Sequence, residues 1–543
     1  MEHTTITSLR KAGRLVDAWH LAHQKLMENS DDRTYNLNMA WVYYDFLKMA
    51  IGKNKPGDVT KIVDKIKSLN IPENDHMFFD SCSWQLGKWV FALARQPEKN
   101  MHRAYQLFEA IMHFNFTKPE KGYSFLLKAF LKIFKAHYNF LAFADWWGFE
   151  NLTDEDKKPG SFNNKKTMSL AENCYLNYAK VLSARFAIKT ENTGDEMPIK
   201  PEKIKGFVEV LETQIQNYPG FLNYYLARIY IGLQEKKAAL RVILPFVLQK
   251  QNQFWVWELM ADIFIDDPIK QMNCLCTALS CKTKPEFLVN TRQKFIRLLV
   301  SEKKYAEAKT EVDQLVKTRG ANGWKIPDEI VNCRNQDWYS RAKHNGNNKA
   351  FYNAFSNPSV ILFPGQKPIK AVVEWVDNKT GRLGFIVSKQ FHGILSFKNQ
   401  IKHVLPGRVI EVHFTGISQI IQQVKRNYNS GYDKQKLKCT AVQIRLSDNQ
   451  KNTSFLKPIN GRFKSLQGKS FGFVNGVFVD SRLLKMGAII NNKPVTGLSV
   501  LSYNKKRNAW GFKAVQLFPE EKVTRTSISI NATGLHKPAL SLQ

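Results

Sequence analysis

Three phenylalanines and two lysines lie close together near the C-terminal end of the chain. Phe471, Phe473 and Phe478 fall within eight residues. Lys464 and Lys469 precede them. An aromatic ring can stack on an unpaired nucleic-acid base, and a lysine ammonium can hold a phosphate. These residue types at this spacing therefore indicate a binding site for single-stranded nucleic acid.

The cluster belongs to a predicted β-hairpin. Residues 469–474 and 476–479 read as two short strands joined by an Asn-Gly pair, which is favoured in tight turns. Alternate residues of a strand face opposite sides, so Phe471 and Phe473 share one face. The more natural core residues are the valines Val474, Val477 and Val479. We therefore expect the phenylalanines on the outer face, and the alternative is that they fill the core.

Most of the positive charge lies in the same part of the chain. The 543 residues contain 80 Lys+Arg and 47 Asp+Glu, a net charge of +33. Residues 351–543 hold 29 basic and 8 acidic residues and so carry +21 of this excess. Such a concentration of one sign favours a polyanionic partner.

The hairpin resembles the cold-shock domain, whose signature runs Lys-Gly-Phe-Gly-Phe-(Ile/Val) and then Val-Phe-Val-His. Here the two parts read Lys-Ser-Phe-Gly-Phe-Val and Val-Phe-Val-Asp, with Asp480 in place of the histidine and Ser465 where a tryptophan is expected. The resemblance implies a five-stranded OB-like barrel that binds single-stranded RNA or DNA. Its strands are expected at 461–466, 469–474, 477–480, 498–503 and 511–517. Further contacts are expected from a basic turn and the last strand, at Lys505, Lys506, Arg507, Trp510 and Lys513.

A second, weaker copy of the pattern precedes the first. Its strands are expected at 371–376, 381–387, 393–397, 407–414 and 438–446. Trp375 matches the stacking tryptophan of the cold-shock family, Phe385 the second Phe of its signature, and Phe397 the Phe after its histidine. The resemblance implies that these three residues also contact nucleic acid. Leu383 and Ser396 replace other members of the signature.

The first 350 residues read as successive amphipathic helices. Ala227 and Ala261 are 34 residues apart, and Leu226 and Leu259 are 33 apart. This period in helical hairpins resembles tetratricopeptide repeats, which implies an α-solenoid whose groove binds a protein partner. Earlier helices are expected at 5–28 (a hairpin turning at Gly13), 35–50, 59–69, 78–94, 102–114, 123–143, 167–182 and 204–217. Loops are expected at 154–167 and 189–203.

Several kinds of chemistry have no motif in the sequence. There is no P-loop, no His-Glu-x-x-His, no Gly-x-Ser-x-Gly and no zinc-finger spacing. Cys274, Cys276 and Cys281 lie in an apolar helical run, where we expect buried thiols rather than metal ligands. No apolar run is long enough to span a membrane. We expect a cytoplasmic protein without a cofactor, a bound metal, a membrane contact or a catalytic site.

These observations predict a multidomain α plus all-β protein, with an N-terminal tetratricopeptide-like α-solenoid and C-terminal tandem five-stranded OB-like barrels. The predicted divisions are a degenerate helical region (1–217), repeats (218–350), a linker (351–369), a first barrel (370–447), a second barrel (460–519) and a flexible tail (520–543). The predicted function is a non-catalytic adaptor. Its barrels bind single-stranded nucleic acid, RNA favoured, and its solenoid binds a protein.

Two other functions stay open at this point. The first is an accessory subunit of a bacterial defence or RNA-processing complex, in which the solenoid contacts nucleic acid and the barrels contact protein. The second is a nuclease with an unrecognised acidic metal site in residues 35–215, because such a site needs only a few side chains brought together by folding.

Overall fold

The computed structural model describes residues 2–96, 100–188, 201–397, 401, 404–414, 417–429, 437–439, 441–447, 454–504 and 508–520. The chain forms two compact units, Met1–Pro358 and Ser359–Gln543. Most of the predicted loop at 189–203, the basic turn Lys505, Lys506 and Arg507, and nearly all of the predicted tail lie outside the described residues.

The first unit is helical over almost all of its described length. Its first helices are α1 (Glu2–Lys11), α2 (Leu15–Glu28), α3 (Arg33–Gly52), α4 (Pro56–Lys67), α5 (His76–Arg95), α6 (Met101–Ile111), α7 (Lys121–Ile133) and α8 (Asn139–Trp147). α9 (Asp154–Lys157), α10 (Leu170–Ile188) and α11 (Pro201–Asn217) follow. Gly13, with φ of 73°, makes the predicted turn between α1 and α2.

Two expectations for this region were wrong in detail. The predicted helix 123–143 is two helices, because the chain leaves the helical conformation after α7 and Ala136 takes a left-handed φ of 62°. The predicted loop 154–167 contains α9 and a small hairpin, β1 (Gly160–Phe162) with β2 (Lys165–Thr167). α9 begins there because Thr153 and Asp156 form a reciprocal capping box.

Three helical hairpins follow one another in the second part of this unit. They are α12 (Phe221–Gly232) with α13 (Lys236–Lys250), α14 (Phe254–Ile263) with α15 (Pro268–Ser280), and α16 (Val289–Ser301) with α17 (Tyr305–Ala321). Their first helices begin 33 and 35 residues apart. Ala227 and Ala261 are buried, as small residues at close helix contacts should be. Cys274 and Cys276 are buried free thiols of α15.

A short C-terminal segment of the first unit packs back onto these hairpins. It follows α18 (Asp328–Arg334) and α19 (Asp337–Arg341) and contains α20 (Lys349–Phe355). Asn273 of α15 donates to the carbonyl of Asn357 at 2.9 Å and accepts from its N–H at 3.1 Å. Asn348 donates to Glu311 of α17 at 2.7 Å. The segment is therefore part of the helical fold rather than a free linker.

The second unit contains two sheets, and the first begins after α21 (Pro358–Leu362). Its strands are β3 (Ile369–Asp377), β4 (Arg382–Ile386), β5 (His392–Ser396), β6 (Val409–Phe414), β7 (Leu437–Lys438) and β8 (Ala441–Leu446). They are hydrogen-bonded in the order β7-β5-β4-β3-β6-β8, with β5 and β7 parallel. β7 and β8 are close together along the chain, yet they lie at opposite ends of this order. A helix that was not predicted, α22 (Ile417–Asn429), connects β6 to β7.

The second sheet has the same arrangement. Its strands are β9 (Leu456–Arg462), β10 (Lys464–Ser465), β11 (Gly472–Val474), β12 (Val477–Val479), β13 (Pro494–Asn504) and β14 (Ala509–Pro519). The order is β10-β11-β12-β14-β13-β9, with β12 and β14 parallel. One stretch of chain again supplies both end strands of the order, because β9 and β10 are separated only by the buried Phe463. The unpredicted helix α23 (Ser481–Met486) lies between β12 and β13.

The two sheets pack against each other within this unit. Val372 and Ile386 of the first sheet form a buried cluster with Val500 of the second. Ser502 Oγ donates to Glu374 at 2.5 Å, and Gln516 donates to the carbonyl of Pro406 at 3.3 Å. Some of the outward-facing residues of each sheet are therefore covered by the other sheet.

Candidate nucleic-acid interface

A row of directly opposed residues crosses four neighbouring strands of the second sheet. Lys464 of β10 is in register with Phe473 of β11, and Phe473 is in register with Phe478 of β12. Phe478 is in turn in register with Lys513 of β14. Residues that oppose each other in a sheet lie on the same face. The face therefore has two adjacent aromatic rings with a lysine at either end.

Phe471 joins the two rings of this row to form an aromatic cluster. Its ring centroid is 6.3 Å from that of Phe473 and 5.4 Å from that of Phe478, and the latter two are 5.9 Å apart. All three side chains are partly exposed. Residues on the opposite face, Val474 and Val479, are fully buried in the core of this sheet. The cluster thus lies outside the core, where a base can reach it.

Local sequence explains how the hairpin forms this surface. Asn475 and Gly476 have φ values of 45° and 80°, the combination required by the tight turn between β11 and β12. Asn475 Nδ2 also donates to the carbonyl of Asn460 at 2.9 Å, which attaches the turn to β9. A Cβ at Gly472 would lie 2.3 Å from the carbonyl oxygen of Lys464. Glycine is therefore needed for β10 and β11 to approach.

The surroundings of the cluster are strongly basic. Residues 457–517 contain eleven Lys+Arg and a single acidic residue, Asp480. Lys464 and Lys469 are exposed at the β10 side of the cluster. Ammonium groups in this position can contact the phosphates of a strand whose bases lie on the rings.

The single acidic residue is paired with the lysine at the other end of the row. Asp480 Oδ2 is 3.1 Å from Lys513 Nζ. Burial of the Asp480 carboxyl favours its neutral form, but the hydrogen bonds from Lys513 and the Leu483 N–H outweigh this and lower its pKa. The carboxylate is therefore ionised at neutral pH. The two ends of the row differ, because among the described residues only the lysine at the β14 end has an anion beside it.

One aromatic–cation contact elsewhere in this sheet was not predicted. Lys457 of β9 places its Nζ 4.5 Å from the ring centroid of Phe512 on β14. Both residues lie on strands next to β13, so the contact depends on strand order rather than on sequence proximity. The basic, aromatic composition of residues 508–513 was the only sequence signal for it.

The described residues of the first sheet do not form a comparable surface. The predicted nucleic-acid contacts of two of its residues are corrected here. Phe385 is completely buried and Phe397 is only 8% exposed, and both belong to the core of this sheet. They cannot offer a ring face to a base. Trp375 is partly exposed, and its indole lies over Gly384, where an added Cβ would meet it at 2.2 Å. The tryptophan thus covers its own neighbouring strand.

The predicted nucleic-acid contact of Trp510 is also corrected, because this residue packs between the two sheets. Its ring meets His392 of the first sheet edge to face, with centroids 4.9 Å apart, and contacts the cluster around Val500. Its indole Nε1 is buried and has no hydrogen-bond partner among the described residues. The residue stabilises the contact between the sheets rather than extending the aromatic cluster. Lys505, Lys506 and Arg507, which precede it, lie outside the described residues.

Several acidic residues in the region 35–215, where a nuclease metal site stayed open, have other partners. Asp156 is buried and accepts from Ser124 and Thr153. Asp145 accepts from Tyr178 at 2.7 Å, and Asp154 pairs with Lys157 at 3.0 Å. Within the described part of the chain, no group of three or more His, Cys, Asp or Glu side chains is arranged to hold a metal ion. Among the same residues, no helix has the length and apolar character needed to cross a bilayer.

The chain thus has a helical N-terminal unit and a C-terminal unit of two β-sheets. Two family models match parts of it. Residues 457–517 match S1/CSD-like domain 2 of the TOTE conflict systems. Residues 220–358 match a domain of unknown function, DUF7017. No curated protein matches the chain. The first match spans β9 to β14 and the second spans the three hairpins with the segment that packs onto them.

Proposed function

We propose that the protein is a non-catalytic adaptor that binds single-stranded nucleic acid, preferentially RNA, through its second sheet and a protein partner through its helical unit. The row Lys464–Phe473–Phe478–Lys513 carries the first part of this proposal. Bases stack on the two rings, and phosphates contact the lysines at the β10 side. Ring faces can accept bases only when those bases are unpaired, which selects single strands over duplexes.

We infer that each sheet closes into a five-stranded OB-like barrel. The supporting observation is that one interrupted strand supplies both ends of each hydrogen-bonding order: β9 with β10 in the second sheet and β7 with β8 in the first. The S1/CSD-like match over residues 457–517 supports this for the second sheet. In OB folds, the second and third strands carry nucleic-acid contacts. β11 and β12, which hold Phe473 and Phe478, are the corresponding strands.

The helical hairpins α12 to α17 support a tetratricopeptide-like solenoid as the protein-binding part. Their first helices are joined by side-chain contacts at intervals of about one repeat. Phe221 of α12 stacks on Trp255 of α14, with ring centroids 5.8 Å apart, and Thr291 of α16 donates to Glu258 of α14 at 2.7 Å. Such contacts keep successive hairpins in a constant orientation, which is what a continuous groove for a partner requires.

The description of the matched family favours one setting for this activity. The match of residues 457–517 to S1/CSD-like domain 2 of the TOTE conflict systems supports a nucleic-acid-binding accessory role in such a system. In the rival arrangement, the helical unit binds nucleic acid and the sheets bind protein. The net charge of +12 in residues 1–350 supports this arrangement. The aromatic cluster favours the sheets instead, because charge alone gives no stacking.

Binding of a labelled oligouridine to the full-length protein over a salt series tests this proposal. We expect the logarithm of the binding constant to fall linearly with the logarithm of salt concentration, because phosphate contacts release counterions. Lys464→Ala should reduce the slope by about 0.7, the contribution of one phosphate contact to a single strand. A matched single-stranded DNA in the same series measures the preference for RNA.

The control in this experiment is Phe473→Ala, which removes a stacking partner but no charge. It should lower affinity at every salt concentration and leave the slope unchanged. A binding constant that is independent of salt, or a Lys464→Ala slope equal to that of the unmodified protein, contradicts the assignment of phosphate contacts to this end of the row.

A further inference from the structure

A pair of oppositely charged side chains lies beside the aromatic cluster at the β14 end of the row. Asp480 comes two residues after Phe478 along the chain. Lys513, with its Nζ 3.1 Å from Asp480 Oδ2, is the register partner of Phe478. A base stacked on Phe478 would therefore have its edge next to one hydrogen-bond acceptor and one donor.

Backbone contacts hold the carboxylate of this pair in place. Asp480 is the N-cap of α23, and its Oδ1 accepts from the N–H groups of Arg482 at 3.0 Å and Leu483 at 3.2 Å. This leaves Oδ2 directed to Lys513, with the guanidinium of Arg482 at 3.6 Å. The side chains of Asp480 and Lys513 remain 19% and 37% exposed. The pair is thus both fixed and accessible.

We propose that Asp480 and Lys513 select guanine for the base that stacks on Phe478. This inference rests on the proposed function and adds a base preference to it. Guanine carries two adjacent donors, N1–H and N2–H, next to the acceptor O6. Asp480 Oδ2, the oxygen that the helix cap does not use, accepts from both donors, and the Lys513 ammonium donates to O6. Recognition of this kind, on the Watson–Crick edge of an unpaired base, is the usual route to specificity for single strands.

The other bases match the pair less well. Uracil has one donor between two carbonyl oxygens, so a facing carboxylate meets at least one acceptor. Adenine and cytosine each have one amino donor next to a ring nitrogen that accepts. In each case an acceptor lies against the Asp480 carboxylate, and an unpaired acceptor beside an anion is unfavourable.

The same carboxylate determines where the backbone of the strand lies. A phosphate is attracted less strongly at the β14 end, where Asp480 offsets part of the charge of Lys513 and Arg482. At the opposite end of the row, Lys464 and Lys469 have no acidic residue near them among residues 457–479. The strand is therefore oriented with its phosphates toward β10 and its base edge toward β14.

Binding of the full-length protein to short labelled oligouridines with one central substitution tests the proposal. The substituted bases are guanine, hypoxanthine, which lacks the N2 amino group, and adenine. We expect the guanine oligomer to bind at least about 5-fold more tightly than the adenine oligomer, with hypoxanthine between them. Unsubstituted oligouridine measures binding without the preferred base.

Asp480→Asn is the most informative variant, because asparagine caps a helix as well as aspartate but carries no charge. It should reduce the guanine preference to about 2-fold or less while oligouridine binding is kept or strengthened. Lys513→Gln, which leaves the helix cap intact, should also reduce the preference. Glu520→Gln removes an equal charge from an exposed position at the end of the same sheet and should retain it.

The outcomes separate this inference from the proposed function. Equal binding of all oligomers by the unmodified protein overturns the base selection and leaves nucleic-acid binding intact. A guanine preference that survives both Asp480→Asn and Lys513→Gln assigns it to other residues and overturns the proposal. Failure to bind any oligomer overturns both the inference and the proposed function.

Discussion

Replacing Phe473 and Phe478 together by alanine is expected to weaken oligouridine binding by about 2–6 kcal/mol, since each stacked base contributes about 1–3 kcal/mol. The two rings are the centre of the row, 5.9 Å apart, and nothing else on β11 or β12 can replace their faces. Fluorescence anisotropy with the full-length protein measures the change.

Two comparisons separate loss of stacking from loss of structure in this variant. Phe473→Leu with Phe478→Leu keeps apolar side chains over the sheet but removes the aromatic faces, so it should lose most of the affinity while unfolding at a similar temperature. Phe518→Ala removes an exposed aromatic ring from the far end of β14 and should bind normally. Binding by the double alanine variant at the unmodified level would exclude stacking on these rings.

Replacing Glu311 by alanine is expected to destabilise the helical unit by about 3–5 kcal/mol, because it leaves a buried cation without its partner. The Glu311 side chain is 1% exposed and is ion-paired to Arg292, which is itself 12% exposed. It also accepts from Asn348 at 2.7 Å and from the hydroxyl of Tyr352. Burial opposes the charge of Arg292, yet the carboxylate of Glu311 outweighs this and raises its pKa.

Urea unfolding followed by far-ultraviolet circular dichroism measures this effect, since most of the helix of the described chain is in the first unit. Glu302→Ala, an exposed glutamate directly after α16, is the matched control and should unfold like the unmodified protein. We also expect the segment that contains α20 to become sensitive to protease in Glu311→Ala, because two of its side chains lose their acceptor. Coincident unfolding curves for the two variants would show that the buried pair is not stabilising.

The aromatic cluster was predictable because the information for it is local. The Asn-Gly turn and the alternation of phenylalanine with glycine and valine are contained in residues 471–479. Burial of Val474 and Val479 and the exposure of Phe473 follow directly from that alternation. The period of the helical hairpins was predictable for the same reason, since each hairpin is a local unit.

The site residues that were predicted wrongly have surroundings that are set by contacts between strands distant in sequence. β4 is buried on both faces, with Phe385 in the core of its own sheet and Ile386 in the contact with the second sheet. Because both faces of β4 are apolar, the alternation of its side chains does not show which residues point into the core of its own sheet. Trp510 was taken for a stacking residue because its neighbours are basic, but its surroundings come from a strand more than one hundred residues earlier. Register and sheet packing of this kind are not encoded in a short motif.

Photocrosslinking of the full-length protein to an oligomer containing 4-thiouridine, followed by mass spectrometry of the peptides, tests nucleic-acid binding by the second sheet most directly. We expect the crosslinks on residues 464–480, with Phe471, Phe473 and Phe478 as the modified positions. Crosslinks confined to residues 1–358 would contradict this and support nucleic-acid binding by the helical unit instead.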